Sequence, residues 1–576
     1  MSAARARGKA IAVTAALAAL VFIVLPGSQY MGNFAEFLTV PGAILRLLLA
    51  PAVLLILLAV IALRTSGRQD FSRYCSVVAA LTLLAWAQSY LLVWDYGVLD
   101  GSPIDWGTPW WRGWVDSAVW VAGLGVAVAF HRRLAKPLAT GAFVVVALQA
   151  GLLATDLVIH RDTLALKAGK RVAATQLDAM ARFSPERNAL HIVLDSFQAD
   201  VFNEIVNGTG GDEFKAALSG FTFFEEHLGT FPATYLAMPV ILSGQIYRNH
   251  VPKPGFMADA YSRGSVLTAA RNAGFEVDVA GDSWLLDVAM QGKVDNAYLA
   301  AQLPLAQEAA RVLDLGLFRL APHWLKPLVY NDQHWLSQRL FSRSVLLRFA
   351  YFTHNAFLAS ITRRLAADRP APVYKFFHVM TPHAPFVVNA DCSPSGRVVE
   401  RNRANVTAQS RCSLAFVVAL LQRMKQAGIY DNSLIVLMGD HGGHIPPYRY
   451  RTGSIVDGDM VYELRPDFVA LATPLLAIKP PGATGPLRTS TALTSMTDVA
   501  ATIDALLGLG GKLPGRSLWD QAYPAAGERR FYGYEWSRRD PVSEYVGKVS
   551  EYRVVGSAYR SDSWHIGPEF LPPRND

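Results

Sequence analysis

Ser433-Leu-Ile-Val-Leu-Met-Gly-Asp-His-Gly-Gly-His444 is an apolar run of strand length that ends abruptly in an Asp-His pair and two glycines. Residues 434–438 read as a buried parallel strand. Ligands of such sheets gather outside the carboxyl ends of the strands, where Asp440 and His441 stand. The glycines let backbone approach the site closely. A capping aspartate beside a solvated histidine would give the same local pattern, so other stretches must decide between a ligand site and a turn.

The 576 residues exceed one core, and composition divides them near residue 158. Five apolar stretches precede that point, at 10–26, 44–63, 75–94, 114–130 and 137–157, each near the length that spans hydrocarbon. The first follows Arg5, Arg7 and Lys9 but lacks a small-residue cleavage site, so it reads as a retained anchor and not a leader. Arg64, Arg68 and Arg73, then Arg132, Arg133 and Lys136, share a side with the N-terminus, which the positive-inside rule makes cytoplasmic. Everything after 158 is then expected outside. Trp94, Trp106, Trp110, Trp111 and Trp114 crowd the second outer loop, where indoles suit the headgroup layer. The net charge of +8 is scattered along the chain, and no nucleic-acid motif accompanies it.

Residues 158–188 carry Leu164, Leu166, Val172, Leu177 and Met180 at helical spacing and are expected to form an amphipathic linker. From Ala189 strands and helices alternate, the pattern of a mostly parallel α/β sheet. Strands are expected at 189–194, 221–226, 275–280, 374–379, 433–438 and 474–478, with helices near 234–243, 264–273, 409–427 and 494–508. Gly428 suits a helix C-terminal cap. Gly210-Gly211-Asp212-Glu213-Phe214 spells a cyclase signature, but the surrounding domain is missing and the stretch reads as a turn into a short helix.

Three further stretches carry chemistry. His191-Ile-Val-Leu-Asp195 is a second apolar strand delivering a carboxylate at its end, which places Asp195 on the same edge as Asp440; Asp200 reads as a helix-turn residue. In Thr230-Phe-Pro-Ala-Thr234-Tyr-Leu-Ala-Met-Pro239, Thr234 opens a short apolar helix. A threonine there can be an N-cap, and a helix N-terminus also attracts phosphate, so the same position suits a nucleophile. Phe376-Phe-His378-Val-Met-Thr-Pro-His383 sets two histidines five residues apart beside a strand end.

Together these stretches resemble the sulfatase-like branch of the alkaline phosphatase superfamily, and within it the membrane-bound phosphoethanolamine transferases and lipoteichoic acid (phosphoglycerol transferase) synthases. The resemblance implies a five-helix transmembrane domain over 1–157, a linker over 158–188 and an extracytoplasmic sulfatase-like domain over 189–576, in the bacterial cytoplasmic membrane. It implies an acidic metal ligand at Asp195, a nucleophile at Thr234 with Pro239, an Asp-His-Gly motif at Asp440-His441 and a His-x-x-x-x-His-x-Pro segment at His378 and His383. The tail from Thr497 to Leu518 is similar to the closing helix and loop of such domains. Gly443 and Ala472 stand where the transferases often have a glutamate and a histidine, so about one tightly bound ion is expected. No Cys-x-Pro-x-Arg or Ser-x-Pro-x-Arg is present, and the formylglycine of ordinary sulfatases cannot form.

A threonine hydroxyl is a poor nucleophile near neutral pH, and a bound dication is the usual remedy. Asp195, Asp440, His441 and Thr234 form an oxygen–nitrogen set that favours one Zn²⁺, with Mn²⁺ or Mg²⁺ as alternatives. His383 and His378 would stabilise phosphate charge or protonate the leaving oxygen, with His444 further out. The expected reaction moves a phosphoethanolamine or phosphoglycerol headgroup from a membrane phospholipid, through a phosphothreonine, onto an envelope glycan or lipid. A phosphodiesterase or sulfatase-like hydrolase and an inactive envelope-assembly scaffold are the alternatives. Cys75 falls within a span, while Cys392 and Cys412 lie in the outer domain and are expected to pair.

Overall fold

A computed structural model of the chain describes residues 3–34, 37, 39–66, 71–96, 104–107, 109–161, 164, 177–282, 294–300, 305–331, 334–337, 350–443, 445–451, 453–457, 460–520, 527–537, 540 and 543–573. Two units make up the fold: Met1–Arg171 with Leu303–Val345, and Val172–Gln302 with Leu346–Asp576.

The first unit is helical. α1 (Ala4–Gly32) contains a π turn over Leu20–Val24, and α2 (Pro41–Thr65), α3 (Ser72–Tyr90), α4 (Trp110–Ala129) and α5 (His131–Ile159) follow. Among the described residues four helices are long and apolar enough to cross a membrane, and only α1, α2 and α5 of these lie here. The expectation of five spans is corrected accordingly. α3 and α4 are present but diluted by polar side chains that bond inside the unit. Ser76 Oγ donates to the Ala127 carbonyl at 2.8 Å, Gln88 Nε2 to Asp116 Oδ2 at 3.2 Å, and Trp120 Nε1 to Gln88 Oε1 at 3.0 Å.

Leu303–Val345, which the sequence pattern assigns to the catalytic domain, groups with these helices. Its helix Leu305–Leu320 is amphipathic, and Glu308 Oε2 accepts from the Thr39 N–H at 2.9 Å while Gly316 packs closely on Pro26. Of the expected linker, residues 162–163 and 165–176 lie outside the described residues, as does His444.

The second unit is built on an eight-stranded sheet. Its strands are β1 (Asn188–Leu194), β2 (Thr222–Phe224), β3 (Glu276–Gly281), β4 (Asn296–Leu299), β5 (Val373–Val379), β6 (Ser433–Met438), β7 (Leu476–Lys479) and β8 (Arg488–Ser490). They run in the order β8-β2-β7-β6-β1-β5-β3-β4. β6, β1, β5, β3 and β4 are mutually parallel, and β7 alone is antiparallel to both neighbours.

β1, β5 and β6 are buried at every position, which is why they read as unbroken apolar runs and not as alternating ones. One face packs against α7 (Thr234–Ser243) and α10 (Val499–Leu507), the other against α6 (Ala199–Asn207), α8 (Ala350–Arg364) and α9 (Arg403–Gln426). α9 is the fourth helix of membrane-spanning length; its buried side covers the sheet. Asn402 caps its start by accepting from the Asn405 N–H, and Gly428 follows its end at φ 71°. Gly211–Ala217 is the expected short helix, entered through Gly210 at φ 73°. A three-stranded antiparallel sheet of β9 (Glu528–Tyr534), β10 (Val549–Val555) and β11 (Trp564–Phe570) closes the chain. Cys392 and Cys412 form a disulfide with Cα atoms 5.6 Å apart, tying the hairpin of Phe386–Val388 and Pro394–Val399 to α9.

Candidate metal centre

Three parallel neighbours, β6, β1 and β5, end at one edge of the sheet, so their terminal residues meet there. β1 delivers Asp195, β6 delivers Asp440 and His441, and β5 carries His378 one residue before its end. Asp195, Asp440 and His441 each offer a ligand atom within 4.8 Å of the others, and all three are buried. His441 Nε2 stands 3.5 Å from Asp440 Oδ2 and 3.9 Å from Asp195 Oδ1. Its Nδ1 donates to the Gly442 carbonyl at 2.8 Å, which leaves Nε2 directed at the carboxylates. Thr234 Oγ1 donates to Asp195 Oδ2 at 3.2 Å and lies 3.5 Å from His441 Nε2. His378 Nε2 is 3.3 Å from Asp195 Oδ2.

The sequence leaves Thr234 between cap and nucleophile, and the cap role is not the one it takes. Ala233 occupies the cap position, Thr234 is the first helical residue, and no side-chain cap bond is made. The hydroxyl is spent on Asp195 instead, while Thr234 remains half-buried and open on one side.

One feature of this cluster calls for a cation. Asp440 Oδ2 is buried without a hydrogen-bond donor, although Oδ1 accepts from the Ser196 N–H at 3.0 Å. A buried carboxylate oxygen left so is costly unless a positive charge faces it. The ionisable groups of the cluster act strongly on one another. Burial alone would raise the Asp195 carboxyl, yet His383, His378 and His441 hold it well below the usual carboxylate range. His441 and His378 are pulled upward by the carboxylates against the effect of burial. Residues Asp195, Asp440, His441 and Thr234 therefore fit one dication.

Backbone shape holds these residues in place. Ser196 adopts a left-handed φ of 62°, which puts its N–H on Asp440 while its Oγ donates to Asp195 Oδ1 at 2.9 Å. Gly442 cannot carry a side chain, because a Cβ would fall 1.9 Å from the Ala470 carbonyl oxygen. Gly443 is looser, its nearest neighbour being Gln198 Oε1 at 3.2 Å. Ala472 is buried in an apolar cluster with Leu228, Val469 and Trp564 and offers no ligand. Asp200 is structural: it starts α6 and pairs with Arg403 Nη1 at 2.7 Å.

His383 is half-buried in the loop after β5 and acts on Asp195 through its charge. That loop is pinned by Gln409 of α9, which the sequence pattern does not single out. Its Nε2 donates to the carbonyls of Pro382, His383 and Pro385, each at 3.1 Å, and its Oε1 accepts from the Val387 N–H at 2.9 Å. A second unforeseen residue is Asp282, just past β3. His354 Nε2 lies 3.3 Å from its Oδ1, and the Met380 N–H donates to His354 Nδ1 at 3.2 Å. Burial works to raise Asp282, but His354 and then His378 hold it below its ordinary value. An aspartate at a further strand end was the available signal.

The family model described as Sulfatase matches residues 187–509, more than half of the chain. The chain belongs to the sulfatase family. Among solved structures, Ps i-CgsB in complex with k-i-k-neocarrahexaose is similar at 13% identity, covering 66% of this chain and 86% of that one with a TM-score of 0.42. Phosphonate monoester hydrolase of Agrobacterium radiobacter is similar at 14% identity, with 67% and 88% covered and a TM-score of 0.39. The lipoteichoic acid synthase LtaP from Listeria monocytogenes is similar at 12% identity, with 65% and 85% covered and a TM-score of 0.39. No curated protein matches the chain. Within its family this sulfatase-like chain departs at the nucleophile. Cys392-Ser-Pro-Ser-Gly-Arg397 misses the Cys-x-Pro-x-Arg spacing by one residue, and Cys392 is already in a disulfide.

Proposed function

We propose that this sulfatase-family protein is a membrane-anchored transferase that moves a phospholipid-derived phospho-headgroup through a phosphothreonine at Thr234 onto an envelope glycan or lipid. The observation that carries the reading is the placement of the Thr234 hydroxyl, between Asp195 Oδ2 and His441 Nε2 at a helix start and free of any capping duty. A dication held by Asp195, Asp440, His441 and Thr234 would lower the cost of deprotonating that hydroxyl and offset phosphate charge.

The chain's own residues do the rest. Thr234 Oγ attacks phosphorus as the bond to the diacylglycerol oxygen breaks, and that oxygen takes a proton from His383. The Thr234 hydroxyl gives its proton to solvent water, which reaches the half-buried side chain. His378, buried against Asp195, fixes the carboxylate and adds positive charge beside the phosphate. An acceptor hydroxyl, giving its proton to the now neutral His383, then attacks phosphorus from the side the lipid has left, and the bond to Thr234 Oγ breaks as that oxygen takes a proton back from water.

Assays with labelled phospholipid test the reading. Diacylglycerol release that rises with added acceptor, with the label recovered on the acceptor, is expected. Release of free headgroup phosphate at the same rate with and without acceptor would make the protein a phosphodiesterase, and no turnover by the metal-loaded protein would favour the scaffold.

A further inference from the structure

The first unit holds a charged cluster that the chemistry at Thr234 does not use. Asp116 of α4 is fully buried and accepts from Gln88 Nε2 at 3.2 Å, Trp94 Nε1 at 2.9 Å and the His323 N–H at 2.8 Å. Both carboxylate oxygens are thus engaged. His323, from the Leu303–Val345 segment, is buried with Nε2 3.3 Å from the Trp106 carbonyl. Donation there leaves Nδ1 to accept from Tyr96 Oη at 2.8 Å, so the ring is satisfied as a neutral imidazole.

Three cations surround this assembly. Lys326 is buried, its Nζ donating to the Phe318 carbonyl and standing 5.3 Å from the centre of the Tyr96 ring. The Arg112 guanidinium lies 5.5 Å from the same ring and donates to the Asp95 carbonyl at 2.7 Å. Arg319 is near enough to Lys326 to act on its charge. Burial lowers Lys326 to about 8, with Asp116 opposing and Arg319 adding to the fall, so it still carries its proton at neutral pH. The Nε atoms of Arg112 and Arg319 are both buried without a hydrogen-bond partner. Among the described residues these three cations share one buried carboxylate, Asp116, whose oxygens are both engaged, and two of their Nε groups lack an acceptor, so the patch suits an added anion.

Helix capping explains part of this arrangement, since Arg319 and Lys326 stand at the C-terminal end of Leu305–Leu320, where cations complement the carbonyls. It does not explain Arg112, which comes from α4, or the two unused Nε groups. The surroundings narrow the missing anion. Trp110, Trp111 and Trp114 are exposed on α4, and Trp324, Leu325 and Leu328 are exposed on the inserted segment. The two sets adjoin, because Trp324 lies against Gly113, where a Cβ would fall 2.0 Å from the indole. Indoles and leucines around a cationic patch suit a molecule with a phosphate at one end and hydrocarbon at the other.

We propose that this patch binds the phosphate of an anionic phospholipid, with Arg112 and Arg319 donating to its oxygens and the exposed tryptophans and leucines lying along its apolar part. A zwitterionic lipid brings a cation of its own and leaves the excess charge unrelieved. The site does not depend on the transferase reading; because a phospholipid donor would also bind at Thr234, the change in lipid preference on substituting Arg112 and Arg319, and not binding alone, reports on it.

The experiment uses the full chain carrying Thr234→Asn, so that any transferase turnover is removed, delipidated in neutral detergent and followed by native mass spectrometry. Phosphatidylglycerol, phosphatidylcholine and inorganic phosphate are titrated separately. Phosphatidylglycerol is expected to bind about tenfold more tightly than phosphatidylcholine, and inorganic phosphate in excess should not displace it. Arg319→Gln and Arg112→Gln together should abolish the preference while the lipid-free protein stays folded by circular dichroism, the bond from Lys326 to Phe318 being kept. Equal binding of the two lipids, an unchanged preference in the double variant, or saturation by inorganic phosphate with the affinity of the lipid would overturn the proposal.

Discussion

The Thr234 hydroxyl donates to Oδ2 of Asp195 at 3.2 Å and to nothing in its own helix. A side chain used this way contributes little to the helix it begins. Thr234→Ala should therefore leave stability within about 1 kcal/mol of wild type by chemical denaturation, while headgroup transfer disappears. Thr234→Ser, which keeps the oxygen, should retain measurable transfer. Near wild-type transfer by Thr234→Ala would remove the nucleophile from the account.

Asp440 presents a buried Oδ2 without a donor, and this atom is assigned to the dication. Asp440→Asn should lower bound metal by at least about tenfold by elemental analysis after gel filtration, because an amide is a far weaker ligand than a carboxylate. Metal content equal to wild type would show that the ion sits elsewhere.

Gly442 and Gly443 adjoin in sequence but differ in space. Gly442→Ala drives a Cβ into the Ala470 carbonyl and should cost about 1–3 kcal/mol of stability, displacing His441. Gly443→Ala meets Gln198 Oε1 at 3.2 Å and the Ser196 carbonyl oxygen at 3.6 Å and should stay within about 1 kcal/mol. Thermal melts of the pair check the contrast, and equal losses would contradict it.

Gln409 pins the His383 loop through three carbonyls and one N–H. Gln409→Leu removes all four bonds and should reduce turnover about tenfold to a hundredfold by misplacing His383. Metal content should not change, since Gln409 bonds to none of the four residues proposed to hold the dication. Unaltered turnover would mean that His383 takes no part in the reaction.

The disulfide closes a loop across a sequence separation of 20. Replacing both Cys392 and Cys412 by Ser should lower unfolding stability by about 3 kcal/mol on the chain-entropy model. An unchanged denaturation midpoint would mean that the pairing adds nothing to the fold.

The strands that meet at the site were legible because both faces of β1, β5 and β6 are covered, so burial is written as uninterrupted apolar sequence ending in Asp195, His378 or Asp440. Direction is a different matter. β7 has the same composition as its parallel neighbours, and nothing in Leu476–Lys479 announces that it runs the other way. The helix Leu305–Leu320 shows the amphipathic pattern of any surface helix, so its place among α1 and α2 depends on tertiary contacts that periodicity does not encode. Gln409 and Asp282 escaped for a related reason. An amide inside a long helix and an acid after a short strand acquire meaning only from the loops that fold over them.

The proposed reaction turns on one covalent bond, between Thr234 Oγ and phosphorus. The most direct measurement supplies the full-length, metal-loaded protein with phospholipid and no acceptor, quenches in acid, and reads the peptide containing Thr234 by mass spectrometry. The account requires a headgroup phosphate attached at Thr234, absent from Thr234→Ala, with a mass that names the headgroup. An adduct on another residue, or diacylglycerol released with no adduct at any time point, would contradict it.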